Sequence, residues 1–401
     1  MAGGASSWAA RARLLAVVVL AGLSLRPFMT GVGPLAADIG ARTGLGLKGL
    51  ALLTLVPMLL MGLLAFAGPS LQARLGTRLA VLAALALLVL GGALRLFASQ
   101  GWQMVGTAVL LGAGAALVQA VLPGVIKQQF RRDAGPVTGL YSAMLMGGGA
   151  LGAQLAPVIA RATGDWRPGL AWTALPAVFA LALAARYLPR DAAPRRGAGA
   201  AAAAGLLVRP RVWLLMACFG LVNGGYSSVV AWLAPFYREQ GWPATASGGL
   251  LASMAVAQAC AALLLPVLAG RGGDRRPWLW LMLALQAAGF AALAWWPGAA
   301  PLASVMLLGA GLGGCFALSM VVALDHLADP AQAGALSALM QGGGFLIAAL
   351  PPWIIAVLHD LTGGFAAGWL LHLGCVAVVA GLYGRVTPRS YAAALPLAQA
   401  R

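Results

Sequence analysis

The stretch LLAVVVLAGLSLRPFMTGVGPLAA, residues 14–37, decides how the rest of the chain is read. It is apolar over a length that crosses a bilayer, for which a helix needs about 20 residues. Arg26 sits in its middle. A guanidinium near the membrane midplane costs about 2.5–3.5 kcal/mol on insertion scales, so it turns away from lipid, toward a partner or a polar cavity. Two partners are open: a buried carboxylate that ties two helices together, or a ligand. The acidic residues are Asp38, Asp133, Asp165, Asp191, Glu239, Asp274, Asp325, Asp329 and Asp360, and none falls at mid-membrane depth. That favours an anionic ligand, which the planar donor fork of arginine holds in bidentate fashion.

Working outward, the chain of 401 residues is 61% hydrophobic and 9% charged, more apolar surface than a soluble domain can hide. Further apolar stretches follow at 50–69, 79–98, 103–126, 136–160, 168–188, 212–236, 247–268, 278–296, 300–323, 334–357 and 366–383. With residues 14–37 they predict an all-α membrane protein of twelve transmembrane helices. The first stretch is too long for a signal-peptide core and lacks a clear small-residue cleavage site. The formal net charge of +17 is unevenly placed. Only Arg42, Lys48, Arg95, Arg161, Arg167 and Arg238 fall on one side of the spans; apart from Arg26, the other basic residues fall on the opposite side. The positive-inside rule then puts both termini in the cytoplasm of a bacterial inner membrane. The basic clusters meet anionic lipid of the bilayer, and no nucleic acid is expected as a partner. Cys218, Cys260, Cys315 and Cys375 stand singly within spans, without metal-ligand spacing, and read as small packing residues. No metal or cofactor is expected, and the working unit is expected to be a monomer.

Between the sixth and seventh spans, residues 189–211 carry Pro194, Arg195, Arg196 and a low-complexity Gly/Ala run, the composition of a flexible linker. It divides the chain into residues 1–188 and 212–401, and the two parts repeat each other. Gly112-Ala-Gly114 returns as Gly309-Ala-Gly311, Met146-Gly-Gly-Gly149 as Gln341-Gly-Gly-Gly344, and Pro157 as Pro352. Near the start of each part, Gly33-Pro34-Leu35 returns as Ala234-Pro235-Phe236. A slowly drifting offset is what duplication of a six-helix unit with small insertions leaves behind, and it predicts two pseudo-symmetric six-helix bundles.

The loops carry a resemblance. The loop after the second span reads Pro69-Ser-Leu-Gln-Ala73-Arg74-Leu-Gly76-Thr-Arg78, and the loop after the eighth reads Gly270-Arg-Gly-Gly-Asp274-Arg275-Arg276-Pro277. Both resemble the G-x-x-x-D-R-x-G-[RK]-[RK] signature of the major facilitator superfamily, with Ala73 in the acidic position of the first copy. Such a loop pins neighbouring helix ends through charge-assisted hydrogen bonds. A narrower likeness is carried by Leu25-Arg26-Pro27 with Val32-Gly33-Pro34-Leu35, Val121-Leu122-Pro123, Thr138-Gly139-Leu140-Tyr141, Asp165-Trp166-Arg167, Tyr226 ahead of Ala231-Trp232-Leu233, and Leu358-His359-Asp360-Leu361-Thr362-Gly363. This ordered set resembles the cyanate and 2-nitroimidazole transporter family. The chain departs from it at Asn223-Gly224-Gly225, where similar chains often carry glutamine and serine, and at the glycine-rich Gly342-Gly343-Gly344. The resemblance implies a secondary transporter, not an enzyme, for small anionic or nitrogen-containing solutes, in which spans 1, 4, 7 and 10 line the substrate path by alternating access.

Arg26 is the expected anion anchor. Tyr141, Asn223, Tyr226, Gln341, Gln119 and Gln258 are the further substrate-binding candidates, being among the few polar residues near mid-span. For each of these, helix-to-helix hydrogen bonding is the competing role. Phe28, Trp232 and Trp353 are candidate cavity walls. His372 reads as a packed, hydrogen-bonded residue, so no proton relay stands out. The glycines Gly147–Gly149 and Gly152 are expected to face Gly342–Gly344, where the halves would meet and rock. A carrier of small anions competes with an exporter of drug-like heteroaromatics. An enzyme is disfavoured, because no nucleophile–base pair, metal cluster or phosphate loop is present.

Overall fold

The computed structural model describes residues 2–130, 133–189, 205–270, 273–327 and 330–395. Twelve helices among them are long and apolar enough to cross a membrane, one for each apolar stretch of the sequence. They are labelled here α1 (Arg11–Thr43), α2 (Leu47–Leu75), α3 (Thr77–Leu94), α4 (Gly101–Gln129), α5 (Ala134–Thr163), α6 (Trp166–Tyr187), α7 (Pro210–Glu239), α8 (Ala244–Ala269), α9 (Arg276–Trp295), α10 (Pro301–Asp325), α11 (Pro330–Thr362) and α12 (Ala366–Gly384). The described residues form two compact units, one drawn from 1–196 with Leu233–Ala252, the other from 197–232 with Ser253–Arg401. Most of the 189–211 linker, including Arg195 and Arg196, lies outside the described residues.

The repeat reappears as matched contacts inside each unit. In the first, Gly112 of α4 packs on Pro57 of α2, and Gly114 packs on the Ala84 carbonyl of α3. In the second, Gly309 of α10 packs on the Met254 carbonyl of α8, and Gly311 on the Met282 carbonyl of α9. Small residues at these crossings let backbones approach closely, which is how helices associate where lipid offers no hydrophobic drive. Left-handed glycines, Gly44 and Gly241, follow α1 and α7; another pair, Gly164 and Gly363, follow α5 and α11. A glycine in that conformation ends a helix without strain.

The signature loops do what their charges suggest. Arg78, at the start of α3, donates to the Ala185 carbonyl of α6 at 2.6 Å. Arg276, at the start of α9, donates to the Gly384 carbonyl of α12 at 3.5 Å and pairs with Asp274 at 2.7 Å. The hydrogen bonds from Arg276 hold the Asp274 carboxyl below the usual carboxylate range. Arg275 pairs with Asp325 at the end of α10 at 3.1 Å and donates to the Ala269 carbonyl of α8. The side chains of Ala73 and Arg74 lie outside the described residues.

Outward faces carry Leu63, Leu79, Leu90, Phe179, Leu264, Val267, Leu302 and Val378, all exposed, a surface fit for acyl chains. Trp102, Trp213, Trp295 and Trp296 are exposed near span ends, where amphipathic rings favour the membrane–water interface.

Candidate functional site

α1 is not one helix. Its first part belongs to a helical segment Ala2–Leu23; it then breaks at Ser24-Leu25-Arg26, resumes as Pro27–Thr30, tightens into a 3-10 turn at Gly33–Leu35, and ends as Ala36–Thr43. Pro27 is the cause: it has no N–H, so the carbonyl four residues earlier, Leu23, loses its helical donor. A freed carbonyl inside a membrane needs a neighbour. The Leu23 carbonyl lies against Gly148 of α5, close enough that a Cβ there would collide with it. On the far side of the break, Thr30 donates to the Gly149 carbonyl at 2.7 Å, and Gly152 lets Pro27 and Thr30 close in. The glycine run of α5 is therefore the bed for the broken segment of α1.

Arg26 stands at the break, as the residue before Pro27, with only 8% of its surface exposed. Its carbonyl accepts from the N–H groups of Met29 and Thr30 at 3.1 and 3.2 Å, which starts the new turn. Tyr141 of α5 is buried within coulombic reach of the Arg26 charge. Its hydroxyl has no hydrogen-bond partner among the described residues. A buried O–H within coulombic reach of a buried arginine, with its own bond unspent, is suited to a small anion. Gln119 of α4 is half-buried, and its amide reaches the Met61 sulfur at 3.7 Å.

The second unit holds the other candidates. Asn223 and Tyr226, both buried, lie one turn apart on α7. The Asn223 amide donates to the Phe219 carbonyl of its own helix at 2.8 Å, so part of its bonding is spent locally. Gln258 of α8 is buried, and its backbone carbonyl meets Gly313 of α10. Gln341 of α11 is half-buried. Phe28 and Trp232 are fully packed core residues; the Trp232 indole donates to the Pro352 carbonyl at 2.7 Å. Trp353 is 40% exposed. A cavity of about 400 Å³ opens among Ala36, Gly40, Leu45, Leu50, Pro235 and Arg238, and Arg26 is not among its lining residues.

Within the first unit Gly148 and Gly149 lie on α1; within the second, Gly343 meets Met216 and Gly344 meets Phe219 and Gly220 of α7. One expectation needs correcting. His372 of α12 is packed as expected, stacked on Phe290 at 5.0 Å between centroids. Yet neither ring nitrogen has a hydrogen-bond partner among the described residues.

Charge counting gives Arg95 a side of the spans but says nothing of its burial. Arg95 follows the last turn of α3, inside an apolar stretch, and is 0% exposed. The signal was its position within the 79–98 stretch; direction of the side chain decides between outer surface and interior, and the sequence does not encode it locally.

Twelve spans, an internal six-helix repeat and a buried arginine at a helix break define a multi-pass membrane transporter. The chain belongs to the Major Facilitator Superfamily, whose model matches residues 14–352. It is 42% identical over 363 residues to the cyanate transport protein CynX of Escherichia coli, covering 90% of this chain and 94% of that one. It is 26% identical to the 2-nitroimidazole transporter of the same organism, covering 92% and 94%. Among solved structures, a D-xylose–proton symporter superposes with a TM-score of 0.78 at 15% identity, covering 94% of this chain and 97% of that one. A bacterial homologue of the human lysosomal transporter Spinster superposes with a TM-score of 0.75 at 14% identity, covering 97% and 99%. At these identities the two structures speak for the fold alone.

Proposed function

We propose that the protein is a secondary active transporter of a small monovalent anion, of the size and charge of cyanate, with Arg26 as its anchor. The observation that carries this reading is the buried Arg26 at the Pro27 break, with the unpartnered hydroxyl of Tyr141 within coulombic reach of its charge. A linear triatomic anion carries its charge on both terminal atoms. A guanidinium fork suits one end, and a phenolic O–H suits the other. Gln119, Asn223, Tyr226, Gln258 and Gln341 are proposed to complete the binding of the same solute. The moving bodies are the six-helix halves 1–188 and 212–401, joined by the 189–211 linker and working by alternating access. The charge bias supports an inner-membrane location with cytoplasmic termini, and the carrier works as a monomer in the lipid bilayer.

The 26% identity to a 2-nitroimidazole transporter favours a second reading, export of nitrogen heteroaromatics. Equilibrium binding of cyanate, formate and 2-nitroimidazole to the purified full-length protein separates the two. The anion reading expects cyanate and formate to bind and to compete with each other. Tight binding of 2-nitroimidazole with no competition from either anion supports the exporter instead.

A further inference from the structure

Arg95 is fully buried, and no ion pair among the described residues includes it. A buried charge without a counter-ion is costly to keep, so its contacts bear on why it stays. Its Nη1 donates to the Phe28 carbonyl at 2.9 Å. Its Nε reaches Thr107 Oγ1 of α4 at 3.4 Å, while that hydroxyl itself donates to the Met104 carbonyl at 2.7 Å. Its Nη2 is buried with no acceptor among the described residues.

Phe28 lies two residues after Arg26, in the short turn that follows the break. Its carbonyl lacks its usual donor, because α1 tightens there and the Val32 N–H bonds to Met29 instead, at 3.2 Å. Arg95 fills that vacancy from just beyond the end of α3. The Pro27–Thr30 turn is thus held from two sides, by Arg95 at Phe28 and by the Gly149 carbonyl of α5 at Thr30.

We infer that Arg95 is a positioning residue for anion binding: it clamps the turn that presents Arg26, and its uncompensated charge raises the potential an arriving anion meets. The inference rests on the reading of Arg26 as the anion anchor, and its test keeps the two apart. Cyanate uptake is measured in proteoliposomes carrying the full chain, with Arg95→Met, Arg95→Lys, Thr107→Ala and Arg26→Ala variants. Arg95→Met raises KM about tenfold with Vmax within about twofold, the size of one charge-assisted interaction lost from binding. Arg95→Lys keeps the charge and restores KM to within about threefold of the native value; Thr107→Ala raises it about twofold. Should Arg95→Met fail to fold, Thr107→Ala carries the test. Native KM in folded Arg95→Met, or in Thr107→Ala where Arg95→Met does not fold, or loss of Vmax with unchanged KM, overturns the positioning role. Native uptake by Arg26→Ala overturns the anchor reading on which it rests.

Discussion

The α1–α5 pair of the first unit and the α7–α11 pair of the second occupy equivalent places in the repeat, yet they break on opposite partners. In the first pair α1 breaks before Pro27, while α5 runs unbroken through Pro157. In the second, α7 runs unbroken through Asn223-Gly224-Gly225, while α11 breaks at Leu350 ahead of Pro351. The cross-helix hydrogen bonds are nevertheless alike: Thr30 to the Gly149 carbonyl at 2.7 Å, and Ser227 to the Ala348 carbonyl at 2.6 Å. The difference lies in what stands at the break. The first pair places a cation there, and the second places an apolar residue. A symmetric frame thus carries an asymmetric charge, and the asymmetry follows from where a proline removes a backbone donor.

The glycine beds break the comparison most sharply. Gly148→Ala drives a Cβ into the Leu23 backbone carbonyl, which cannot turn aside. Gly343→Ala meets the sulfur of Met216 at 2.5 Å, the flexible end of a side chain that can move. Thermal unfolding in detergent is therefore expected to show Gly148→Ala destabilised by about 2–3 kcal/mol or not folded, and Gly343→Ala by under about 1 kcal/mol. Equal losses at the two sites would mean that the beds are equivalent after all.

The paired hydroxyls sharpen it. Thr30→Val and Ser227→Ala each remove one interhelical bond inside the membrane, worth about 0.6 kcal/mol on average and at most about 1.7. Their stability losses should match within that range. Cyanate binding should weaken only in Thr30→Val, because only Thr30 shares a turn with the anchor. Weakening in Ser227→Ala of the same size would place the two pairs on an equal footing for the ligand.

The spans, the repeat and the loop signature were legible because hydropathy, spacing and charge side are properties of the chain itself. The breaks were not. Pro123, Pro157, Pro235 and Pro266 sit inside unbroken helices, whereas Pro27 and Pro351 follow breaks. What separates them is the surroundings that receive the freed carbonyl, and that is a tertiary fact. Arg26 stood out because an arginine in mid-span has few explanations. Arg95 did not, because three residues of depth near a span end leave its direction undetermined. Tyr141 stands out in the sequence by its polarity, but its unspent hydroxyl within reach of the Arg26 charge emerges only once α1 and α5 are packed.

The central claim is that the anion is held by the charge at the α1 break and not by Asn223 of α7, which the 197-residue offset from Gly112 to Gly309 makes the repeat counterpart of Arg26. Equilibrium binding of cyanate to purified Arg26→Ala, Arg26→Lys and Asn223→Ala variants, each verified as folded, tests it directly. Removing a buried charge-assisted fork should weaken binding by about 10–100-fold in Arg26→Ala, with Arg26→Lys between it and the native protein, because a point charge keeps the attraction and loses the bidentate geometry. Asn223→Ala, whose amide already serves the Phe219 carbonyl, should lose less than about fivefold. Native affinity in Arg26→Ala, or a larger loss in Asn223→Ala than in Arg26→Ala, would contradict the account.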